Sequence, residues 1–367
     1  MKYEIKFNGI LVDCIDVEPN NEARFNFPFK LIIPKNIGDN PSLIYVCNLP
    51  KDYTAKSDSF DEILELTKKD MGTIDPVHKY LSLDLGNPMI VPFVPRFKNF
   101  RPNFLGRDCF LNTFEVTAND EIYAKYLYLY ENLADQHKAM IEYAINLLKE
   151  ENINVDDKAI ISGYSEGAKF ASHLTLLHPE SFKAVIGGGT GGTISMPVAE
   201  VDGYKFNYPT GIADYPDFDF ENYKNISFFY YMADKDKSDS AVPYFEDHYF
   251  IGDDGKEHLL IDECGNKTPY VDADGKQHFI LDENGNYTSK FGLFSDEEVN
   301  AINKALGTIT QERFKKQENI FEELGLNATF KLYPGNHRTI FDNSEQLFRD
   351  IEIFIEECNK NFYINKQ

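Results

Sequence analysis

The chain has 367 residues, enough for about two domains or for one large domain that carries an insertion. Hydrophobic residues make up 42% and aromatic residues 14%, which is typical of a globular protein and excludes a disordered or collagen-like chain. The net charge of −23 excludes nucleic acid and acidic membrane surfaces as partners, because binding to both depends on clustered Lys and Arg.

The sequence carries no pattern for export or for a membrane span. No run approaches the roughly 18 apolar residues of a membrane span, and the first residues lack the apolar core of a signal peptide. The cysteines are scattered and form no C-x-x-C pair, which argues against a disulfide framework and a structural zinc site. We therefore expect a soluble cytoplasmic protein with reduced thiols at Cys14, Cys47, Cys109, Cys264 and Cys358.

The predicted elements begin with antiparallel strands. Hydrophobic residues alternate at Tyr3, Ile5 and Phe7 and again over 25–31, closed by Pro34. Short, continuously apolar runs then alternate with helical segments, which suits parallel strands buried on both faces and predicts an α/β fold with a mostly parallel sheet. These runs lie at 43–47, 89–94, 159–161, 184–186, 226–232 and 328–333.

The predicted helices flank this sheet. The longest spans 120–151, with apolar residues at three- and four-residue steps and a break near Ala134. Further helices are predicted at 166–177, 296–324 and 344–359, the last of which closes the fold.

An internal repeat occupies 254–266 and 274–286. Each copy has Asp-Gly at one end and Gly-Asn at the other, around strand-forming residues, which predicts successive β-hairpins. The acidic pairs are interpreted as turn residues and not as calcium ligands, because Tyr270 and Leu281 stand where an EF-hand around Asp272 needs Asp and Glu. We expect an inserted appendage over 246–300, a candidate contact between copies, within a core formed by 1–245 and 301–367.

The motif Gly163-Tyr164-Ser165-Glu166-Gly167 matches G-x-S-x-G. An apolar strand runs into it and a helical pattern follows, which is the context of a nucleophile elbow, a sharp turn that lifts a serine hydroxyl clear of the backbone. The alternative is an ordinary glycine-rich turn between a strand and a helix.

A serine hydroxyl needs a base beside it and a third group that orients the base. In this arrangement the acid and then the histidine follow the serine along the chain, each just after a strand. His337 follows the last predicted strand, and 234–239 follows the strand before it. His178 is predicted to end the helix after the motif, and His258 and His278 belong to the internal repeat. The remaining histidines are predicted to be surface or core residues: His78, His137, His173 and His248.

These motifs resemble the α/β-hydrolase superfamily, and more specifically bacterial esterases and polyester-depolymerase-like hydrolases. The resemblance covers about 1–245 and 300–367 and includes Leu177-His178-Pro179-Glu180, Tyr333-Pro334-Gly335-Asn336-His337 and the segment 89–96. It implies an α/β-hydrolase fold and a serine nucleophile.

The resemblance also bears on the acid, where two aspartates compete. Such families often have G-x-x-D after the strand; Ala233 takes the glycine position and selects Asp236. Asp239 matches the D-x-x-V-P form of the same loop. We favour Asp236 and keep Asp239 as the alternative acid.

The developing oxyanion needs two backbone donors, one after the nucleophile and one after the third strand. The first is predicted to be the amide of Glu166. The second is predicted to be Leu49, because Pro50 has no amide; relatives often carry His-Gly in this loop.

A glycine-rich segment at 187–192 contains G-x-G-x-x-G after an apolar strand. Because Pro197 interrupts any helix there, we interpret it as a turn that lines the site and not as a dinucleotide loop.

The sequence thus predicts a serine hydrolase in which His337, oriented by Asp236, deprotonates Ser165 for attack on a small-molecule ester. No metal or organic cofactor is expected. A serine peptidase on the same fold and a non-catalytic binding protein that kept the scaffold are the alternatives.

Overall fold

The computed structural model describes residues 2–48, 57, 59–71, 74–95, 126–190, 194–236, 249–251, 257–259, 270–271, 277–278, 296–307, 309–342 and 344–365. Its strands are β1 Lys2–Phe7, β2 Ile10–Val17, β3 Phe29–Pro34, β4 Ile44–Val46, β5 Met89–Pro92, β6 Ala159–Tyr164, β7 Phe182–Gly188, β8 Glu200–Val201, β9 Tyr204–Lys205, β10 Ser227–Ala233, β11 Tyr249–Ile251, β12 Glu257–Leu259, β13 Tyr270–Val271, β14 Gln277–His278 and β15 Ala328–Tyr333.

The helices in these ranges are α1 Phe60–Lys68, α2 Pro76–Lys79, α3 Leu133–Glu150, α4 Glu166–Leu177, α5 Phe220–Tyr223, α6 Asp296–Ala305, α7 Thr310–Glu323 and α8 Glu345–Asn365. A π-helical turn lies at Tyr80–Asp84, and 3₁₀ turns lie at Leu127–Tyr130 and Pro179–Ser181.

Nine of the described strands form one sheet in the order β1-β2-β3-β5-β4-β6-β7-β10-β15. The pairs from β1 to β5 are antiparallel, and those from β5 to β15 are parallel. Every side chain of β4, β5, β7 and β10 is buried, as expected for strands covered on both faces. The predicted α/β fold with a mostly parallel sheet is confirmed.

The hydrophobic core lies on both faces of this sheet. Successive residues of a strand point to opposite faces, so Val185 and Tyr230 belong to the core on one face, which includes buried residues of α1, α3, α4, α6 and α7. Ile186 and Tyr231 belong to the core on the other face, which includes buried residues of α2 and α8. The helices thus form two layers around the sheet, and the carboxyl ends of the parallel strands meet at one edge.

One of the antiparallel strands at the start of the chain, β2, was not predicted from the sequence pattern. β2 carries Asp13 and Asp16 among its apolar residues, which obscures the alternation. The signal for it was Asn8-Gly9, which joins β1 to β2 with φ angles of 50° and 83°, as a two-residue hairpin turn requires.

The strand predicted over 25–31 is wrong at its start, because β3 begins at Phe29. Phe25 and Phe27 are buried in the preceding loop, where their rings pack 5.5 Å from Tyr143 and 4.7 Å from Tyr130. Their alternation reflects contacts with α3 and the turn before it, and not strand geometry.

Two predicted helices differ from the structure at breaks in the chain. Of the segment predicted as helix 120–151, residues 120–125 lie outside the described residues, and the described part is helical from Leu133, after a 3₁₀ turn and the left-handed residue Asn132 at φ 51°. The segment predicted as helix 296–324 is two helices, α6 and α7, with Gly307 between them at φ 114°. The helix predicted at 166–177 is confirmed as α4, and the last helix extends to Asn365.

The strand inside each repeat copy forms an antiparallel hairpin with a strand that directly precedes that copy. β11 pairs with β12, and β13 pairs with β14, both antiparallel. The registers are equivalent, since Phe250 pairs with His258 and, twenty residues later, Tyr270 pairs with His278.

The segment Asp272-Ala273-Asp274-Gly275, interpreted as a turn, lies outside the described residues. The division into 1–245, 246–300 and 301–367 stays a prediction.

Across the described ranges, no helix is both long and apolar enough to cross a bilayer. No group of three or more His, Cys, Asp or Glu side chains in the same ranges could hold a metal ion.

Three thiols lie in the described core and are free: Cys14, Cys47 and Cys358. Burial raises the pKa of Cys14 and of Cys358 to about 11, and raises the pKa of Cys47 well above its ordinary value. The thiolate is the nucleophile, so a raised pKa leaves little reactive form at neutral pH.

We expect these three cysteines to resist iodoacetamide at pH 8 in the folded protein and to react fully in guanidinium chloride. At a pKa of about 11 only about 0.1% of a thiol is ionised at pH 8, against about a quarter at the ordinary pKa. Peptide mass mapping measures the modified fraction at each position. Rapid modification of Cys14 in the folded chain contradicts the burial described above.

Candidate active site

Ser165 occupies a sharp turn between β6 and α4. Its backbone has φ 57° and ψ −122°, a region that side-chain-bearing residues rarely adopt. Two hydrogen bonds hold this conformation. The Ser165 amide donates to the carbonyl of Gly188 at 2.8 Å, and the Ser165 carbonyl accepts from the amide of Ala168 at 3.0 Å. This strand, serine and helix geometry is that of a nucleophile elbow.

Gly163 makes the turn sterically feasible. A Cβ atom at this position would lie 2.2 Å from the carbonyl oxygen of Gly167 on the first turn of α4. The first glycine of the motif is therefore required for the close approach of helix to strand.

The glycines at the start of the segment 187–192 are required for a different reason. Gly187 and Gly188 belong to β7, and Cβ atoms there would lie 2.7 Å from the ring of Tyr230 and 2.1 Å from that of Tyr231. These glycines make room for the aromatic rings of β10. No helix begins between 189 and 199 in the described residues, and 191–193 lie outside them.

Two hydrogen bonds join Ser165, His337 and Asp236 in a continuous row. His337 Nε2 lies 3.0 Å from Ser165 Oγ, and His337 Nδ1 lies 2.8 Å from Asp236 Oδ2. Because a carboxylate only accepts, Nδ1 carries the proton and Nε2 accepts from the serine hydroxyl. The Asp236 side chain is 1% exposed and that of His337 21%, so the carboxylate is shielded while the imidazole reaches the surface.

Asp236 and His337 lie on the two loops that follow the neighbouring strands β10 and β15. β10 and β15 pair directly, and their loops continue to bond beyond the strands. The amide of Gly335 donates to Asp234 Oδ1 at 2.9 Å, and the amide of Lys235 donates to the Gly335 carbonyl at 3.0 Å. The acid and the histidine are therefore held in fixed register.

The start of α7 supports the acid loop. Thr310 Oγ1 and Gln311 Nε2 both donate to the carbonyl of Asp236, at 2.7 and 2.8 Å. The hairpins lie between Asp236 and Thr310 along the chain, so these bonds join the two ends of the segment that contains them. The sequence analysis missed both residues, because no local motif marks them.

The predicted oxyanion donors are described in part. Glu166 is the first residue of α4 and directly follows Ser165. Leu49 and the alternative acid Asp239 lie outside the described residues. The loop before Leu49 is anchored, since the amide of Cys47 donates to the Ser162 carbonyl at 2.9 Å and Asn48 Nδ2 donates to the Pro92 carbonyl at 2.9 Å.

His178 and His137 make contacts away from the row formed by Ser165, His337 and Asp236. His178 ends α4, as predicted, and lies 3.2 Å from Asp135 and 3.4 Å from Glu180. His137 is buried beside the Tyr45 hydroxyl, and burial followed by the charge of His178 lowers its pKa to about 3.

His78 and His173 are also buried, and His78 takes part in a capping box at the start of α2. His248 lies outside the described residues.

Tyr164, the second residue of the motif, was not identified as a site residue from the sequence. Its hydroxyl donates to the main-chain carbonyl of His337 at 2.5 Å, and the two rings lie 5.0 Å apart. The motif left this position open to any residue, so only the fold reveals the contact.

No protein-family model matches the chain, and no curated protein matches it. Among solved structures, it is similar to LpqC, a poly(3-hydroxybutyrate) depolymerase from Bordetella parapertussis, at 13% identity over 88% of this chain and 83% of the other, with a TM-score of 0.41.

An S-formylglutathione hydrolase from Agrobacterium tumefaciens matches at 10% identity over 96% of this chain and 98% of its own, with a TM-score of 0.39. The Francisella virulence factor BioJ matches at 11% identity over 98% and 84%, also with a TM-score of 0.39.

The strand order and the elbow of this chain themselves define an α/β-hydrolase fold. A mostly parallel sheet lies between two helical layers, a serine elbow follows β6, and an acid and a histidine follow β10 and β15 in that order. The predicted α/β-hydrolase fold is confirmed.

We expect Gly163→Ala to lower the free energy of unfolding by about 3 kcal/mol and to displace Ser165, because the added methyl group collides with the main chain of α4. Gly203→Ala is the matched control. Its Cβ meets nothing within 4 Å, so only the left-handed φ of 83° costs about 1 kcal/mol.

Urea unfolding of both variants measures the difference. Equal destabilisation of the two would show that the contact between Gly163 and Gly167 is not as close as described.

Proposed function

We propose that the protein is a serine hydrolase that cleaves a carboxylic ester, with Ser165 as nucleophile, His337 as base and Asp236 as the acid that orients it. The observation that carries this proposal is the continuous row from Asp236 Oδ2 through the imidazole to Ser165 Oγ, at 2.8 and 3.0 Å, on a strained elbow. Such strain at a partly exposed serine is typical of a functional position.

In the proposed reaction, His337 Nε2 takes the proton of Ser165 as Oγ attacks the ester carbonyl. The carbonyl oxygen becomes an oxyanion, for which the Glu166 amide and, as predicted from the sequence, the Leu49 amide are the proposed donors. The imidazolium then gives its proton to the leaving alcohol, and an acyl group remains on Ser165. Water, deprotonated by His337, attacks this acyl-enzyme and releases the carboxylic acid.

Asp236 contributes by its burial and its position. A shielded carboxylate that accepts from Nδ1 keeps Nε2 free of a proton in the resting state and stabilises the imidazolium that forms during attack. The two bonds from Thr310 and Gln311 hold the main chain of Asp236 while this charge develops.

The ester is chosen over the peptide because of the motifs that resemble esterases and polyester-depolymerase-like hydrolases. A peptidase uses the same three groups, so the row at Ser165 is compatible with both substrates. The cytoplasmic location and a contact between copies through 246–300 stay predictions from the sequence.

Ser165→Ala is expected to lower kcat on short p-nitrophenyl esters by at least about 10⁴-fold, because the nucleophile is lost. The melting temperature should change little, since only the hydroxyl is removed. Ser162→Ala, three residues earlier on the same strand, is the matched control and should keep activity within about twofold.

Wild-type protein should also react covalently with a fluorophosphonate probe at Ser165. A folded wild-type protein that neither labels nor turns over esters overturns the proposal and favours the non-catalytic binding protein. Cleavage of peptides with no activity on esters favours the peptidase.

Asp236→Asn is expected to lower kcat by about 10³- to 10⁴-fold, because the amide favours the wrong imidazole tautomer and leaves the imidazolium without a counter-charge. Asp239→Asn is the control and should lower kcat less than about threefold. Steady-state kinetics on the same ester measure both. The reverse order of effects would assign the role to Asp239.

A further inference from the structure

Tyr164 links the elbow to the loop that carries His337. Its hydroxyl donates to the carbonyl oxygen of His337 at 2.5 Å. Its ring lies 5.0 Å from the imidazole, at an angle of 33°, and 4.9 Å from the ring of Phe341. Because Tyr164 directly precedes Ser165, a single side chain connects the main chain of the serine to the main chain of the histidine.

The other bonds of the His337 loop do not make this connection. Asn336 Oδ1 accepts from the amides of Arg338 and Thr339, which shapes the loop internally. The bonds of Gly335 to Asp234 and Lys235 join the loop to the acid loop. These bonds fix His337 relative to the acid, whereas the Tyr164 bond fixes it relative to the serine.

Tight packing keeps the Tyr164 hydroxyl in place. A Cβ atom on Gly189 would lie 2.8 Å from the Tyr164 ring and 2.9 Å from its hydroxyl oxygen, so the glycine backbone lies directly against the phenol. The ring of Tyr231 stacks beside the Tyr164 ring, with the two ring centroids 6.2 Å apart. The phenol is thus confined between β7, β10 and the His337 loop.

We propose that Tyr164 is a positioning residue that holds the His337 main chain so that Nε2 stays within hydrogen-bond distance of Ser165 Oγ during both proton transfers. This inference rests on the proposed hydrolase function. The distance between base and nucleophile limits proton transfer, and small misplacements of reacting groups lower rates strongly.

The phenol remains a donor over the pH range of an assay. Burial, followed by the negative charges of Asp236 and Asp75, raises the pKa of Tyr164. Its proton is therefore retained at neutral and mildly alkaline pH, where a phenolate would repel the carbonyl of His337.

The test is Tyr164→Phe, which keeps the ring and removes only the donor. We expect kcat on a p-nitrophenyl ester to fall roughly tenfold, with KM within about twofold, because one hydrogen bond that orients the base is lost. The rate of Ser165 labelling by a fluorophosphonate at saturating probe should fall by the same factor. A loss of folding would lower the fraction of protein that labels, whereas the labelling rate of the molecules that remain folded would not change.

Tyr333→Phe is the matched control. Tyr333 also ends a strand and is buried, but its hydroxyl donates at 2.6 Å to Asp350 on α8. It should leave kcat, KM and the labelling rate within about twofold. Gly189→Ala provides a second variant, because its methyl group displaces the phenol without removing it and should lower the labelling rate as well.

Wild-type labelling separates the two hypotheses. If wild-type protein labels and Tyr164→Phe labels at the same rate, or slows no more than Tyr333→Phe, the inference is overturned and the proposed hydrolase function stands. If folded wild-type protein neither labels nor turns over esters, the proposed function fails and the inference fails with it.

Discussion

The strained main chain of Ser165 is the constraint around which the site is built. A side-chain-bearing residue at φ 57° and ψ −122° costs about 1–3 kcal/mol, which neighbouring contacts must offset. The amide bond to Gly188, the carbonyl bond from Ala168 and the close approach at Gly163 do so. In this conformation the Ser165 side chain makes no capping bond to α4, and its hydroxyl lies 3.0 Å from His337 Nε2.

The position of the acid follows from packing between β7 and β10. Gly187 and Gly188 lack side chains where Tyr230 and Tyr231 place their rings, so the strands pair while large aromatic groups cover both faces. β15 then pairs with β10, and the loops after the two strands bond to each other. The start of α7 then lies against the buried Asp236, whose carbonyl accepts from Thr310 and Gln311.

The part of the site with a local pattern was predictable. Ser165 lies in a glycine-framed motif between a strand and a helix, and His337 follows the last strand, so both were identified from neighbours within a few residues. Asp236 was less certain, because Asp234, Asp236 and Asp239 are chemically equivalent in sequence. The fold distinguishes two of them, since Asp234 accepts from Gly335 while Asp236 faces the imidazole. β2 was missed because two aspartates interrupt its alternation.

Periodicity and turn chemistry thus determined the α/β class, the elbow and the hairpin pairs, because these depend on residues close together along the chain. Tertiary structure decided the contacts between distant residues. Tyr164 meets His337 across 173 positions, and Thr310 meets Asp236 across 74. Such pairs depend on the order of strands in the sheet and on the packing of side chains between them, and no local pattern encodes which carbonyl a given hydroxyl will reach.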